Sequence, residues 1–437
     1  MSPESSLRVV DAGLSLDLAT GPAMTPHGLV TGENFFSGFV DRPDIMASGL
    51  LAVADVAATR YADAGLAQRL AALDPVVTAG GDRLRFESFS LCNGVYARFD
   101  VSREGLGSSE VGFGTTNIDV NQPLRTALAR IPPTEPLHLS VGADELRVSS
   151  PEATYVEPKV TLPDRWVRGL AETSQLLSEM EPAASMRGVE ARRFLAKLPR
   201  VAAPGPVVHV VPMPGGWRTT TRPVSGSIPV PGTTRLRGCD RILRFTEQLS
   251  VHRHEHGSTA WVFTVPGGRL TLVLSPGPYR GFSGEGTLLS LLTHPDAEQA
   301  GRRILTSLGW NSVIDPVALA AATDLKATQV RAGLGWLSAS GRLGYDLDEM
   351  AWFHRELPVD SEAVQRRNPR LVSAQRLLNS GNVTAGGTPG EWRVLGSQGW
   401  TYTVSPDAHC TCRWESDHHG SRGPCKHVLA VLLKLRT

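Results

Sequence analysis

The sequence predicts an α+β multidomain protein: a strand-rich N-terminal region, a helical middle and a small ββα module at the C-terminus held together by a metal. Three observations carry this. Runs of β-type residues broken by tight-turn dipeptides recur before residue 160 and again near residue 265. From about residue 286 the apolar residues recur at helical spacing. The last stretch places Cys410, Cys412, Cys425 and His427 within eighteen residues, three thiols and an imidazole that make a complete tetrahedral donor set for zinc.

Composition bounds the rest. A chain of 437 residues is long enough for several domains. Hydrophobic residues at 41% and charged residues at 20% describe an ordinary folded protein. A formal net charge of +1 argues against a globally basic nucleic-acid coat or an acidic tail. The 44 glycines and 31 prolines imply many turns. Five cysteines are too few for a disulfide framework, and Cys92 and Cys239 are expected to be inert. A thiolate metal site suggests a reducing compartment, so a cytoplasmic location is expected. The start, Met1-Ser-Pro-Glu-Ser-Ser, has no basic region followed by an apolar run, so no signal peptide is expected. No apolar run approaches the roughly 20 residues needed to cross a bilayer, so no membrane partner is expected.

Residues 1–160 read as one α+β domain. Arg85–Leu91 and Val95–Val101 flank Asn93-Gly94, which predicts a hairpin with a type I′ turn. Leu137–Val141 and Glu145–Val148 flank Gly142-Ala-Asp and predict another. Helices are expected over 45–64 and 123–131. The order helix, strand, strand, strand across 123–160 is similar to half of a sliding-clamp domain, an order many α+β domains share. Residues 161–200 read as a helical segment with Trp166, Leu170, Leu176 and Leu177 at helical spacing. Residues 201–285 read as a second β-rich region, with a hairpin of Trp261–Val265 and Arg269–Leu274 around Pro266-Gly-Gly268.

Residues 286–358 give a helix over 296–308, then Asp315 as N-cap with Pro316 at the first helical position. A short helix, a tight turn at Thr323-Asp-Leu, a helix over 326–338 and a strand at Gly341–Asp346 follow. That order is similar to a winged helix-turn-helix. Residues 359–390 read as an arginine-bearing helix broken near Pro369, followed by a flexible linker over 380–390. In 391–437, Trp392–Leu395 and Trp400–Val404 are expected strands around a Gly396–Gly399 turn. Arg413–Pro424 reads as a loop, and a helix after His427 puts Val428, Leu432 and Leu435 on one face.

A Cys-x-Cys, a variable loop and a Cys-x-His, with two strands before and an apolar helix after, resemble the SWIM zinc finger. The resemblance covers about residues 391–437. It implies one zinc ion held by Cys410, Cys412, Cys425 and His427, with His409, His418 and His419 close by as alternative imidazoles. Four protein ligands leave no open position, which marks a structural site. The arrangement of the whole chain resembles the bacterial SWIM proteins. This implies a protein partner or DNA, and an association with MoxR-type AAA ATPases and von Willebrand factor A proteins.

The expected function is a non-enzymatic, zinc-binding adaptor. The first alternative is a DNA-binding protein, in which Lys326, Thr328, Gln329 and Arg331 would face the major groove and Arg366, Arg370 and Lys426 would add phosphate contacts. Gly333 and Gly335 weaken that helix by roughly 1 kcal/mol each. The second alternative is an enzyme with a site in residues 1–286. Its two motifs are the glycine-rich turn Arg280–Gly286 and the alternating His252, His254 and His256. The turn lacks the Lys-Ser/Thr pair of a P-loop, and Glu285 would repel a phosphate. On a strand the three histidines would share a face and offer a metal site.

Overall fold

The computed structural model describes residues 34–61, 75–107, 109–200, 207–277 and 281–436, together with the backbone of four short strands between residues 6 and 30. An antiparallel sheet of eight strands organises the molecule. Its order is Glu181–Arg187, Gln248–Arg253, Thr259–Val265, Gly268–Leu274, Val95–Ser102, Arg83–Phe89, Val76–Gly80, Phe113–Asn117. The sheet therefore runs across the boundaries expected at 160 and 200, because Gly268–Leu274 pairs along its whole length with Val95–Ser102.

Period-two alternation covers both faces of this sheet. In Val95–Ser102, Val95, Ala97, Phe99 and Val101 pack with helix α1 (Pro43–Ala58), α2 (Gln122–Leu128) and a four-stranded sheet. That smaller sheet has the order Thr154–Pro158, Glu145–Ser149, His138–Gly142, Asn34–Phe39. Tyr96 points the other way and packs with Trp166, Val167 and Leu170 of α3 (Asp164–Leu177). The helix expected over 45–64 ends at Ala58, and residues 62–74 lie outside the described ones.

Two local readings change. The hairpin around Asn93 exists, but Ser90 N donates to Val95 O and only Asn93 is left-handed, at φ 55°. The turn is therefore a four-residue loop rather than a two-residue type I′ turn. Residues 181–187 form an edge strand, not a helix, before α4 (Gly188–Ala196). Pro182 is tolerated there because the register shifts between Pro182 and Ala184 at the sheet's edge.

The middle of the chain builds α5 (Thr287–Leu292), α6 (Ala297–Leu305), α7 (Pro316–Thr323), α8 (Ala327–Ala339) and a hairpin of Leu343–Asp346 with Ala351–His354. The expected order of helices, turn and strands is present. Asp315 Oδ1 accepts from Val317 N and Asp324 closes α7 in the left-handed region. The two glycines of α8 have a packing purpose. A Cβ on Gly333 would stand 2.9 Å from Gly301 N and 3.0 Å from Ala300 C, so α6 and α8 touch backbone to backbone. We expect Gly333→Val to cost about 1–3 kcal/mol by overpacking. Urea unfolding measures this, and an unchanged midpoint would contradict the close approach.

The remaining helices are α9 (Val364–Arg367), α10 (Pro369–Asn379), α11 (Arg413–His418) and α12 (Lys426–Lys434). A three-stranded sheet of Val383–Ala385, Trp392–Leu395 and Thr401–Val404 lies among them. Val383–Ala385 falls in the segment read as a flexible linker; it pairs with Trp392–Leu395 instead. Ala374 and Leu377 of α10 share a core with Val383, Val394, Val404 and Val428–Val431. The C-terminal module thus begins near residue 369 and is not joined to the body by a slack tether. Among the described residues no helix is long and apolar enough to cross a membrane.

Candidate metal centre and its seat on the body

Cys410 follows the strand Thr401–Val404 and forms a bridge with Val404. Cys412 is the N-cap of α11, Cys425 is the N-cap of α12, and His427 lies in the first turn of α12. Each pair is therefore presented by a strand end or a helix start, where the backbone direction is fixed. All four side chains are buried and their ligand atoms lie within 4.8 Å of one another. His427 Nδ1 stands 3.7 Å from Cys410 Sγ and 3.8 Å from Cys425 Sγ. Zinc bonds to sulfur and nitrogen at tetrahedral angles would set those separations near about 3.6 Å, so the donor set fits one zinc ion.

Electrostatics agree with that fit. Cys425 sits at a helix N-terminus with Val428 N donating to its sulfur at 3.4 Å. Hydrogen bonding from Cys410 pushes the Cys425 thiol down to about 4, and the same bond pushes Cys410 up. Burial pushes Cys412 up as well. Crowded thiols of this kind can all ionise together only beside a cation. The His427 ring stacks on Tyr402 at 4.3 Å between centroids, which fixes the face it presents.

The alternative imidazoles lie elsewhere. His409 is 73% exposed and pairs with Glu415 at 3.1 Å. His418 packs edge-on against Trp414, and His419 is an exposed, left-handed C-cap. The segment Arg413–Pro424 is not a plain loop, since α11 occupies its first half. In α12, Val428 is buried as expected, but Leu435 is 61% exposed and Leu429, Ala430 and Val431 take the core positions.

The module is clamped to the body by residues that local sequence does not mark. Glu285, in the turn before α5, binds Arg370 at 2.8 Å and Arg422 at 2.7 Å. Both guanidinium groups also flank the Trp414 ring, at 3.7 and 4.9 Å from its centroid. Arg436 donates to Thr293 and to Ser290 O. Gly423 approaches so closely that a Cβ there would meet Gly286 O at 2.4 Å.

Arg280 of the glycine-rich turn lies outside the described residues; residues 283–285 of that turn form an anion nest, and its anion is internal. Ser283 N, Gly284 N and Glu285 N all donate to Glu172 Oε2, at 2.6, 2.8 and 3.2 Å. Burial of Glu172 pushes its carboxyl up while these bonds pull it down. We expect Glu172→Leu to cost about 1–3 kcal/mol by orphaning these donors, with Glu172→Gln milder because an oxygen remains. Chemical denaturation of both variants checks the order. The histidines do not share a strand face: the strand ends at Arg253, and Gly257 N donates to His254 O in a turn. His254 Nε2 lies 3.4 Å from Glu179 Oε2, and its Nδ1 accepts from His256 N.

The residues proposed to read DNA are scattered in role. Lys326 and Thr328 are exposed at the start of α8. Gln329 is used internally, accepting from Lys326 N and donating to Asp296. Arg331 pairs with Glu179 at 3.1 Å, Arg366 pairs with Asp360 at 2.7 Å, and Lys426 reaches Ser397 at 3.3 Å. Arg370 belongs to the Glu285 clamp. The rest of α8 is buried against α3, α5 and α6.

Comparison with known proteins agrees with the metal site. Solved structures to which the chain is similar include the PCNA2–PCNA3 complex from Sulfolobus tokodaii, at 10% identity over 55% of this chain and 99% of that chain with a TM-score of 0.41, and Proliferating Cellular Nuclear Antigen from Entamoeba histolytica, at 8% identity over 56% and 99% with a TM-score of 0.39. Likeness at that level carries no argument. No curated protein matches the chain. Residues 398–436 match the family model of the SWIM zinc finger, and they contain all four clustered donors. The chain carries a SWIM zinc finger at its C-terminal end, with one zinc ion as its cofactor.

Proposed function

We propose that this protein is a cytoplasmic, non-enzymatic adaptor whose zinc finger is a folded docking module. One observation carries the reading: the four-donor site is closed and buried, and the finger is seated on the body by Glu285, Arg370 and Arg422. A closed tetrahedral site offers no position to a substrate. The glycine-rich turn already holds Glu172, and both nitrogens of His254 are engaged. The resemblance to bacterial SWIM proteins supplies the partners to try, a MoxR-type AAA ATPase and a von Willebrand factor A protein. Co-elution of either with the zinc-loaded chain at about 10 μM supports the adaptor, since useful affinities lie at or below that level. No complex with either, alongside a salt-sensitive shift of generic duplex DNA, would replace it with the DNA-binding reading.

A further inference from the structure

The two most exposed large apolar side chains among the described residues are Val317, at 77%, and Met350, at 72%. Both line one groove of about 430 Å³ between α7, α8 and the turn of the hairpin Leu343–His354. Leu334 and Trp352 are buried in the same lining. Met350 is held at φ 48°, the left-handed region that a side chain of its size seldom adopts. The backbone thus carries strain while a flexible thioether stands out at the mouth of an apolar groove.

Charge around the groove is negative on its solvent side. Asp315, Asp324, Asp348 and Glu349 flank the lining residues in the chain and are exposed, set against Lys326. Asp348 and Glu349 pair with Arg269 and Arg83, but those arginines are only 11% and 14% exposed and lie beneath them. Glu179 and Arg331, both in the lining, pair with each other.

The matching shape is on the finger. Trp400 is 69% exposed, and no other tryptophan among the described residues is exposed. It follows the turn Gly396–Gly399, where Lys426 Nζ reaches Ser397 Oγ at 3.3 Å. Arg393 is exposed on the same hairpin, and no carboxylate occurs from Trp392 to Pro406. An apolar knob beside cations therefore complements an apolar groove beside carboxylates. The Glu285 clamp holds the finger on its own body with Trp400 in solvent, so the ring is free to enter the groove of another molecule.

We propose that Trp400 of one chain docks in the Val317–Met350 groove of a second copy. A tryptophan ring buries roughly 150–250 Å², and tryptophan is enriched among the anchors of protein interfaces. The groove falls in the size range that takes an aromatic group. Knob and groove are different surfaces, so the contact is heterologous and chains add head to tail unless the rotation closes a ring. A contact this small is weak and depends on concentration. It stands apart from the adaptor reading, which concerns a different protein, and needs only the folded finger.

Sedimentation velocity of the zinc-loaded full chain, from about 5 to about 200 μM, tests this. The weight-average mass should rise with concentration. Trp400→Ser and Met350→Glu each remove one half of the contact. Both side chains are mainly in solvent in the single chain, so both variants should keep one zinc per chain and the wild-type urea midpoint. Each variant alone should stay monomeric. Their equimolar mixture should form a 1:1 dimer and nothing larger, because one intact Trp400 meets one intact groove. A wild type that stays monomeric at about 200 μM, either variant assembling alone as the wild type does, or a mixture that stays monomeric would overturn the proposal.

Discussion

Replacing Cys412 with serine is expected to abolish stoichiometric zinc and to unfold residues 383–436. The apparent free energy of structural zinc in finger peptides is on the order of 10–16 kcal/mol near neutral pH, as large as the whole stability of a typical domain. The core here is small, and three of its buried members are the cysteines themselves. Without the ion, crowded thiols and a buried imidazole would replace the centre of that core. The effect should not stop at the finger. Its loss strips Glu285, 13% exposed, of Arg422 and disturbs the Arg370–Trp414 stack, so the turn at 283–286 should loosen too. Hydrogen exchange read by mass spectrometry should show lost protection over 383–436 and weakened protection over 283–292. The strands of the large sheet should stay protected. Metal analysis of His409→Ala is the control: exposed and outside the cluster, it should keep one zinc per chain. A Cys412→Ser protein with full zinc, or a protected finger without any, would sink the assignment.

The donor set was legible because ligand spacing is a local property. Cys410, Cys412, Cys425 and His427 fall on a strand end and two helix starts that the flanking residues already indicate. Hairpins were legible for the same reason, since Pro266-Gly267 closes two alternating runs and Gly267 adopts φ 70°. What lay beyond reach was long-range. Nothing near Gly281–Gly286 says that the nest is filled from α3, more than a hundred residues earlier in the chain. Nothing near Arg370 says that it faces a tryptophan and a glutamate rather than a phosphate. The strand Glu181–Arg187 lies inside 161–200, a segment whose helical reading rests on Trp166, Leu170, Leu176 and Leu177 upstream of it, and pairing with Gln248–Arg253 decides its conformation. Val383–Ala385 sits among glycines and a proline, which hid a three-residue strand that only its neighbour Trp392–Leu395 calls into order.

Asp346→Asn is expected to cost about 3–5 kcal/mol, the penalty for removing one partner from a buried ion network. The outward residues of the large sheet, Arg85, Arg98 and Arg269, share their face with Asp100, and Arg83 stands at the margin. Asp346 comes down onto them from the hairpin Leu343–Asp346. It is fully buried, meets Arg83 and Arg98 at 3.4 Å and Arg85 at 3.6 Å, and pairs with Arg269. Arg85 lies 4.0 Å from the Phe353 ring centroid and makes no hydrogen bond, so burial pushes its guanidinium down and its balance rests on Asp100 and Asp346. Asparagine keeps the volume of Asp346 and removes the charge, leaving cations that attach the helical middle to the sheet facing one another. The pH dependence follows from direction alone. Burial raises the Asp346 carboxyl, but the arginines outweigh it and hold the group far below the usual carboxylate range. A group depressed in the folded state stabilises above its unfolded pKa, near about 3.9, and that contribution is lost as pH falls towards the folded value. Urea unfolding should therefore show a constant gap between wild type and Asp346→Asn from about pH 6 to 8. The gap should narrow only below about pH 4, where the Asp346 carboxyl protonates in the unfolded chain while the arginines still hold it ionised in the folded one. A gap under about 1 kcal/mol at neutral pH would mean that water, not Asp346, compensates the arginine cluster.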